Sequence, residues 1–516
     1  MKLVTTSQMR AIEKDADSNG VSYAELMQNA GRSLAEIIHA VGQEGGWDTI
    51  TGIIGSGNNG GDALVALTWL AGAGWRTYAI LVNRNNAQDE LVDEYLQAGG
   101  ELSRFNDATS PETLARFLED SDILLDGLLG TGIKLPLRKE AALILQTAKL
   151  ILTSLETPPY IIAVDCPSGV DCDTGAAADE TLPADLTVTM AAVKQGLLKL
   201  PAFEYTGSLE VADIGLPENL DSWNNLKTQV ADWEMISNFL PERTPASHKG
   251  TFGTAFVMAG STSYTGAALL AGKAAYRIGA GLVTMAIPDV LHAVLAGHLP
   301  EATWVLLPHE DGFISSSAVV KVRENFSRAT AFLIGPGFGD KHTTGSFIES
   351  LLPNLTLPTV IDADGLRHLA RIDHWYKKLS APVVLTPHPG EMSALTGLSR
   401  EEIQLARDEI ACRYAQEWGQ VVVLKGAFTI IAAPNGHSTT IPVATPALAR
   451  AGTGDVLAGL ITGLLAQGVK PYDAALAGAF IHAQAGLLAA KKLGTTASVL
   501  ASDVLDAVPN VLAAWE

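Results

Sequence analysis

Cysteine is scarce in this chain: its 516 residues include three, Cys166, Cys172 and Cys412. No two of them have the C-x-x-C spacing that is typical of zinc sites and redox motifs, and an odd, sparse set does not build a disulfide framework. The sequence therefore disfavours a disulfide-stapled or zinc-bound fold and favours a reducing compartment.

Basic residues are also few. Lysine and arginine number 35 against 56 aspartates and glutamates, which gives a net charge of −21. This balance repels nucleic acid and anionic membrane surfaces, so we expect neither as a partner. It does not exclude anionic small ligands, because the free N–H groups at helix N-termini bind phosphate locally.

Long hydrophobic runs are missing as well. The first twenty residues lack the apolar stretch of a secretory signal. The most apolar segments, 456–465 and 474–490, are interrupted by Thr462, His482 and Gln484, and none reaches the roughly 20 residues of a membrane span. These features predict a soluble, cytoplasmic protein.

Short apolar runs are present throughout, and they alternate with helical patterns and glycine-rich joints. This alternation predicts α/β folds with largely parallel sheets. In the first half the strand candidates are 49–54, 77–82, 123–126, 161–165 and 186–190. In the second half they are 255–259, 282–287, 331–334, 359–362, 383–386 and 421–425, with a hairpin through 429–432 and the turn 434–436.

The length suits two or three domains. The strand–helix rhythm is lost between about Leu216 and Gly250, a stretch rich in Asn, Pro and Trp. We therefore expect a first domain over 1–220, a linker over 221–245 and a second domain over 246–516. A helical segment from Thr5 to Ala40 precedes the first strand.

A glycine-rich loop follows the first strand candidate, in the stretch GSGNNGGDAL. Gly55, Gly57 and Gly60 satisfy G-x-G-x-x-G, and the start of the following helix offers free N–H groups to a phosphate. A dinucleotide-binding fold also needs an acidic residue at the end of the next strand, where Val82-Asn83-Arg84 stands instead. The loop therefore predicts phosphate binding without hydride transfer.

Two more strand candidates of the first half end in aspartate. Asp126 leads into a second glycine-rich loop, and Asp165 leads into Cys166-Pro167-Ser168-Gly169. Ligands of open α/β sheets bind at the carboxyl ends of strands, although both aspartates could instead cap their loops. Asn59, Asp126 and Ser168 offer oxygen ligands only, which suits a hard cation rather than zinc.

In the second half, ARAGTGD precedes an apolar helical run. The N–H groups from Gly452 to Gly454 can form an anion hole, and Asp455 then lies in the first helical turn. There a carboxylate can take the proton of a hydroxyl that attacks phosphorus. The alternative is a glycine-rich turn in which Asp455 is an ordinary N-cap.

Three other strand ends favour a phosphate site in this half. They are Lys425-Gly426-Ala427-Phe428-Thr429, the stretch 385–391 with His388, and the glycine-rich loop 335–339. His388 could be structural, and the 335–339 loop could be a plain tight turn. No Walker A loop is present, so the chain is not a P-loop kinase.

These motifs together resemble the bifunctional NAD(P)H-hydrate repair enzymes. The matching stretches run along nearly the whole chain: GSGNNGGDAL, LDGLLGTGI, AVDCPSGVDCDTG, SHKGTFG, GSTSYTGAALLAGKAAYRIGAGLV, IGPGFG, DADGL, LTPHPGE, KGAFTII and AGTGDVLAGLITGLLAQG. The resemblance implies an N-terminal Rossmann-like three-layer domain that epimerises hydrated NAD(P)H. It also implies a C-terminal ribokinase-like α/β domain that dehydrates it with ADP.

The resemblance also implies roles for particular residues. Asp165 and Asp455 would be catalytic, and Asn59, Asp126 and Ser168 would bind K⁺. Substrate contacts would come from two loops and one strand end of the first domain and from four places in the second. These residues are Asn58, Asn59, Gly60, Gly61, Asp62, Gly130, Thr131, Gly132, Ile133, Lys134, Leu135, Pro136, Asp165, Gly266, Ala267, Gly337, His388 and Asp455. ADP would be bound by Lys425, Gly426, Ala427, Phe428, Thr429 and Gly454, together with Mg²⁺.

The implied chemistry starts from a nicotinamide ring with a hydroxyl at C6. The second domain would phosphorylate that hydroxyl from ADP, so that phosphate leaves and NAD(P)H, AMP and phosphate result. The first domain would interconvert the R and S epimers, and assembly into homo-oligomers is expected. Two alternatives stay open: a ribokinase-type kinase fused to a nucleotide-binding module, and a first domain that only binds a nucleotide or partner.

The chain departs from the family pattern at a few positions. Thr445-Pro446-Ala447-Leu448 stands where the family has Asn-x-Gly-Met, and Ala451 and Ala63 each stand in place of a glycine. Gly452, Gly454 and Asp455 are intact, so the predicted activity is retained.

Overall fold

A computed structural model describes residues 1–84, 89–105 and 110–514. The chain forms two compact units, Met1–Leu226 and Lys227–Glu516. The boundary falls inside the interval 221–245 that the sequence suggested as a linker. Short elements occupy that interval, because apolar residues such as Leu226, Val230 and Ile236 are buried there.

The first unit is built on a seven-stranded sheet in the order β4-β3-β2-β5-β6-β7-β9, in which every neighbouring pair is parallel. A short pair, β1 with β8, lies outside it. The strands are β1 (Leu3–Val4), β2 (Thr49–Ile54), β3 (Arg76–Leu81), β4 (Glu101–Arg104), β5 (Ile123–Gly127), β6 (Tyr160–Val164), β7 (Leu186–Met190), β8 (Val193–Lys194) and β9 (Ser208–Ala212).

Helices cover both faces of this sheet. They are α1 (Thr6–Ser18), α2 (Tyr23–Gly45), α3 (Asn58–Gly72), α4 (Glu90–Gln97), α5 (Ser110–Glu119), α6 (Lys139–Ser154), α7 (Phe203–Thr206) and α8 (Asp221–Asn224). Because side chains alternate along a strand, β5 directs Leu125 into one hydrophobic core and Leu124 into the other. The three-layer α/β arrangement expected for this unit is confirmed.

The predicted helical segment from Thr5 to Ala40 is two helices. Each begins with a capping box, in which Thr5 pairs with Gln8 and Ser22 with Glu25. The chain breaks between them because Gly20 adopts a φ of +100°, outside the helical region.

The second unit contains a ten-stranded sheet in the order β10-β21-β20-β19-β18-β17-β16-β11-β12-β13. It is parallel except along β19-β20-β21, where the predicted hairpin makes antiparallel pairs. Its strands are β10 (Thr228–Val230), β11 (Thr254–Met258), β12 (Leu282–Pro288), β13 (Thr303–Leu307), β16 (Ala331–Ile334), β17 (Thr359–Ile361), β18 (Val383–Leu385), β19 (Val421–Leu424), β20 (Ile430–Ala432) and β21 (Ser438–Thr440). A separate antiparallel pair, β14 (His309–Glu310) with β15 (Phe313–Ile314), lies outside it.

Two hydrophobic cores flank this sheet too, with Leu333 of β16 in one and Phe332 in the other. The helices are α9 (Trp233–Ser237), α10 (Thr265–Arg277), α11 (His292–Leu295), α12 (Ala318–Glu324), α13 (His342–Leu351), α14 (Asp364–Leu369), α15 (Pro389–Thr396), α16 (Arg400–Leu405), α17 (Arg407–Trp418), α18 (Thr453–Ala466), α19 (Pro471–Leu493) and α20 (Ala501–Ala513). The α/β class predicted for this half is confirmed.

Among the described residues, α19 is the one helix long and apolar enough to cross a membrane, and 72% of its most apolar window is buried inside the protein. It packs against α18 and α20 in the core of the second unit. A buried core helix has this composition, so α19 is weak evidence for a membrane span. The three cysteines are free.

Candidate active sites

A polar cavity of about 1080 Å³ opens at the carboxyl ends of β2, β5 and β6 in the first unit. Parallel strands bring their ends to one edge of the sheet, and this is why three loops distant in sequence meet there. The predicted residues that line the cavity are Asn58, Asn59, Asp62, Gly130, Thr131, Gly132, Ile133, Lys134 and Asp165. Leu135 and Pro136 lie just beyond this lining, and Leu137 is part of it.

The glycines of the first loop permit close backbone packing. A Cβ on Gly55 would lie 1.8 Å from the carbonyl oxygen of Leu128, and one on Gly60 would lie 2.0 Å from the carbonyl oxygen of Gly55. Gly61 packs against Met27, whose sulfur would be 2.7 Å from an added Cβ. Gly55 therefore lets the two cavity loops approach each other, Gly60 lets the first loop close on itself, and Gly61 lets it pack on α2.

Replacing Gly60 with alanine should lower the free energy of unfolding by about 1–3 kcal/mol, because the added methyl group collides with rigid backbone. Gly57→Ala is the matched control, since a Cβ there meets nothing within 4 Å and its φ is −91°. Urea denaturation of both variants measures the difference. Equal stabilities would contradict the packing role of Gly60.

Asp165 follows β6 with a φ of +65°, a left-handed conformation that turns the chain sharply at the cavity. Its Oδ1 accepts hydrogen bonds from the Thr189 hydroxyl at 3.1 Å, from the Met190 N–H at 3.0 Å and from the Lys194 ammonium group. Among the described residues, no hydrogen bond reaches Oδ2. One oxygen is thus fixed and the other is available to a ligand.

Lys194 is buried, with 1% of its side chain exposed. Its ammonium group also donates to the Thr189 hydroxyl at 3.1 Å and to the Met190 carbonyl at 2.9 Å. With Asp165 these acceptors use all three N–H bonds, so Lys194 is a fixed counter-charge to Asp165.

Lys194→Met should destabilise the first unit by about 3–5 kcal/mol, because it leaves the buried Asp165 carboxylate without its counter-charge. Adding Asp165→Asn to that variant removes the unpaired charge and should recover much of the loss. Chemical denaturation of the two single variants and the double variant measures this coupling. Additive effects would show that the ion pair has no energetic role.

Two further acids face the cavity. Burial raises the pKa of Asp62 well above its ordinary value, and the negative charges of Asp165 and Glu13 raise it further. Burial likewise raises the pKa of Glu13, against the opposing charge of Lys194. The cavity therefore holds acids in different electrostatic settings.

The residues predicted to bind a cation are Asp126, Ser168 and Asn59. The buried Asp126 carboxylate accepts the Ser168 N–H at 2.8 Å and the Ser168 hydroxyl at 2.5 Å. The Asn59 amide donates to the Leu129 and Val164 carbonyls at 3.1 and 2.6 Å. Burial raises the pKa of Asp126, and no basic side chain of the described residues forms an ion pair with it. An oxygen-rich cluster around an uncompensated buried acid fits a hard cation.

In the second unit, Asp455 lies in the first turn of α18, after Gly452 with its φ of +90°. A Cβ on Gly454 would lie 3.5 Å from the Lys425 ammonium nitrogen, so the phosphate loop and the Lys425 turn are adjacent. Burial raises the pKa of Asp455 to about 7, and the charge of Asp362 adds to the shift while Lys425 opposes it. A carboxyl group with this pKa exchanges protons readily near neutral pH.

Lys425 is the centre of a buried ionic network. Its ammonium group donates to Asp362 Oδ1 at 2.7 Å and lies 3.8 Å from Glu391 Oε2. The Thr386 hydroxyl donates to the same Asp362 oxygen at 2.7 Å. Burial alone lowers the pKa of Lys425, but Asp362, Glu391 and Asp455 together raise it. Lys425 therefore stays charged where a phosphate would arrive.

His388 caps α15. Its Nδ1 accepts the N–H groups of Gly390 and Glu391 at 2.9 and 3.2 Å, and its Nε2 lies 3.2 Å from Glu391 Oε1. Burial and the charge of Lys425 lower the pKa of His388, while burial raises that of Glu391 to about 7. Because Nδ1 is an acceptor, the proton of the neutral ring is on Nε2, which can donate to a ligand.

The remaining substrate contacts predicted in this unit come together at one place. Gly337 has a φ of +66°, and a Cβ there would lie 2.9 Å from the Ala267 Cβ and 2.8 Å from the Tyr264 carbonyl oxygen. The loop after β16 thus packs on the first turn of α10, which contains Gly266. A Cβ on Gly335 would lie 2.1 Å from the Asp362 carbonyl oxygen, which connects this loop to the Lys425 network.

The turn from Lys425 to Thr429 is tightly held. The Thr429 hydroxyl donates to the Gly426 carbonyl at 2.9 Å, and Phe428 has a φ of +54°. Arg407 donates to the Leu424 carbonyl at 3.0 Å, and burial lowers its pKa to about 10. Ala427 is exposed between these contacts. The turn is therefore preorganised beside the phosphate loop.

The departures from the family pattern have local partners. Thr445 accepts the Ala447 N–H at 3.2 Å and caps the short turn that precedes the phosphate loop. Ala451 is exposed. Ala63 is buried, and its Cβ would lie 2.6 Å from one on Gly127.

Three residues of these sites were not among the predicted ones: Lys194, Asp362 and Glu391. Asp362 ends a predicted strand, as Asp126 and Asp165 do, and Glu391 follows His388 in the same motif, so both carried a usable signal. Lys194 lies 29 residues after Asp165, and nothing local indicated that the two would pair.

Comparisons with known proteins show the family to which the chain belongs. Residues 255–510 match the family model of NAD(P)H-hydrate dehydratase, and residues 23–196 match that of the YjeF-related protein N-terminus. The bifunctional NAD(P)H-hydrate repair enzyme of Moorella thermoacetica is 37% identical over 99% of this chain and 97% of its own length. The chain belongs to the family of bifunctional NAD(P)H-hydrate repair enzymes.

A less similar relative also matches along most of its length. The repair enzyme of Escherichia coli is 32% identical over 98% of this chain and 92% of its own. Among solved structures, the ADP/ATP-dependent NAD(P)H-hydrate dehydratase of Bacillus subtilis, crystallised with ATP and Mg²⁺, is 34% identical and covers 56% of this chain and 99% of its own, with a TM-score of 0.49. The resemblance inferred from the motifs is confirmed at the level of the family.

Proposed function

We propose that the second unit dehydrates the S epimer of hydrated NAD(P)H with ADP, and that the first unit interconverts the R and S epimers. The observation that carries this proposal is Asp455 in the first turn of α18, beside the glycine loop and next to the Lys425 network. A phosphate site with an adjacent base is the machinery of phosphoryl transfer. Because the chain belongs to the repair family, we infer that the group phosphorylated is the C6 hydroxyl of hydrated NAD(P)H.

In the second unit, the N–H groups of the loop from Gly452 to Gly454 and the positive end of α18 bind the transferred phosphate. Lys425 and the turn to Thr429 hold the rest of ADP. His388, through Nε2–H, and the Gly337–Ala267 contact hold the hydrated nicotinamide. Asp455 takes the proton of the C6 hydroxyl while the hydroxyl oxygen attacks the phosphorus of ADP.

Phosphorylation converts a poor leaving group into a good one. The C6–O bond then breaks, phosphate leaves, and loss of a proton from C5 restores the C5=C6 double bond of NAD(P)H. AMP is the other product. The enzyme thereby couples a kinase-like transfer to an elimination.

In the first unit, Asp165 is positioned to exchange protons with the substrate through its free Oδ2. The loops with Asn58 to Asp62 and Gly130 to Pro136 enclose the hydrated nucleotide.

Two cations belong to the proposal. Asp126, Ser168 and Asn59 would hold K⁺, which offsets the buried charge of Asp126 and fixes the cavity loops. Mg²⁺ would arrive with the ADP phosphates, a setting in which it needs only one or two protein carboxylates, here Asp362 and Glu391. Among the described residues, no group of three or more His, Cys, Asp or Glu side chains is arranged to hold a metal.

A product analysis tests the dehydratase. Purified protein with S-hydrate, ADP and Mg²⁺ should form NADH, AMP and phosphate in equal amounts. Accumulation of a phosphorylated compound without NADH would instead identify a ribokinase-type kinase. ATP in place of ADP tests the donor.

A further inference from the structure

Asp62 lies in the cavity of the first unit, and the proposed reaction so far gives this acid a place against the substrate but no chemical step. It lies in α3 and lines the cavity with Asp165, and 7% of its surface is exposed. Among the described residues, none donates a hydrogen bond to its carboxyl group. Asp165 differs, because Lys194, Thr189 and Met190 hold one of its oxygens.

The positions of the two acids in the fold are also different. Asp62 belongs to the loop and helix that follow β2, and Asp165 follows β6. In the sheet β5 lies between these two strands. The two acids therefore belong to segments that follow strands on either side of β5, and both line the cavity.

Inversion at C6 needs a proton donor and a proton acceptor. In the dissociative route the hydroxyl leaves from one face of the ring as water, which requires a proton. Water must then add to the other face, which requires a base. A single carboxylate with one oxygen held by three hydrogen bonds cannot reach both faces.

We propose that Asp62 is a second catalytic acid–base group, which acts on the face of C6 opposite to Asp165. This assignment rests on the proposed epimerase function. The Asp62 carboxyl group donates its proton to the C6 hydroxyl; the C6–O bond breaks, water leaves, and the N1 lone pair forms a C6=N1 bond. Water then adds to the other face as Asp165 takes its proton, a new C6–O bond forms, and the electron pair returns to N1. The reverse sequence converts the other epimer.

The two acids differ in the charges that surround them. Asp62 faces Asp165 and Glu13, whose negative charges favour its neutral form, and Lys194 only partly opposes them. Burial is the largest cause of the raised pKa of Asp62. Asp165 is in direct contact with the Lys194 cation and accepts a hydrogen bond from it. Negative charges thus face Asp62, whereas Asp165 is paired with a cation.

The test uses the full chain with Asp455→Asn as background, so that epimerisation is measured without dehydration. Conversion of pure R-hydrate to S-hydrate is followed by chromatography. Adding Asp62→Asn should lower kcat by roughly 100-fold or more, with KM changed far less. Asp17→Asn, at an exposed position of α1, is the matched control and should leave both constants unchanged.

The dependence of kcat/KM on pH distinguishes a catalytic role of Asp62 from a purely structural one. With Asp62 intact, kcat/KM should fall on the alkaline side as Asp62 loses its proton, and Asp62→Asn should lack this limb. If the variant does not fold, the profile of the intact protein decides, and the lack of an alkaline limb there overturns the assignment. An unchanged kcat, or an effect on KM alone, also overturns it. If the background protein does not interconvert the epimers, the proposed epimerase function itself is wrong.

Discussion

Asp455→Asn should lower the rate of dehydration of S-hydrate by roughly 100- to 10,000-fold, the range expected when a general base is removed. Asparagine has nearly the same shape but cannot take the proton of the C6 hydroxyl. The N–H groups of the phosphate loop and Lys425 are unchanged, so the dissociation constant for ADP should change only a few-fold. Single-turnover kinetics and calorimetric titration with ADP measure the two effects.

The raised pKa of Asp455 also predicts how the dehydration rate depends on pH. Burial raises the pKa of Asp455 to about 7, so the protonated form, which cannot act as a base, dominates below that pH. The dehydration rate should therefore rise as the pH increases through about 7, and this limb should be missing in Asp455→Asn.

Asp506→Asn is the control for that variant, since Asp506 is 70% exposed and 4.0 Å from Arg277 at the surface of the same unit. It should have the wild-type rate. If Asp455→Asn dehydrates at that rate too, Asp455 is only the N-terminal acid of α18.

Asp165→Asn should lower epimerisation of R-hydrate by roughly 100- to 10,000-fold and leave dehydration of S-hydrate unchanged. The amide can still accept the hydrogen bonds from Thr189 and Met190, but Oδ2 is lost as a base. From a mixture of epimers, the variant should recover only the S share in the time that the wild type recovers all. Chromatography of the remaining hydrate measures it.

In Asp165→Asn, Lys194 loses its counter-charge, so the free energy of unfolding of this variant must be measured in parallel. Asp165→Asn combined with Lys194→Met restores charge balance and should also lack epimerase activity. If the double variant epimerises normally, Asp165 does not take part in the reaction.

The strands that carry the sites could be predicted because they are buried on both faces. Residues 49–54, 186–190 and 331–334 were predicted with the bounds found in the structure. The edge strands β4, β9 and β13 were missed, since each contains exposed and half-buried residues and carries a weaker apolar signal. Edge strands are commonly less apolar for this reason.

Glycine loops and strand-end aspartates indicated both candidate sites in the sequence, because their backbone requirements leave a local pattern. The pairing of Lys194 with Asp165 and the Asp362–Lys425–Glu391 network depends on contacts between distant segments. Such contacts leave no local pattern. The charges that surround each acid of the two candidate sites could therefore be identified only in the structure.

One measurement tests the proposed repair function most directly. The full chain is given an equilibrated mixture of R- and S-hydrate with ADP and Mg²⁺, and the reduced-nicotinamide absorbance is followed to its plateau. We expect complete recovery of NADH from both epimers, with one AMP formed for each NADH. No recovery would contradict the dehydratase, and a plateau at the S share would contradict the epimerase.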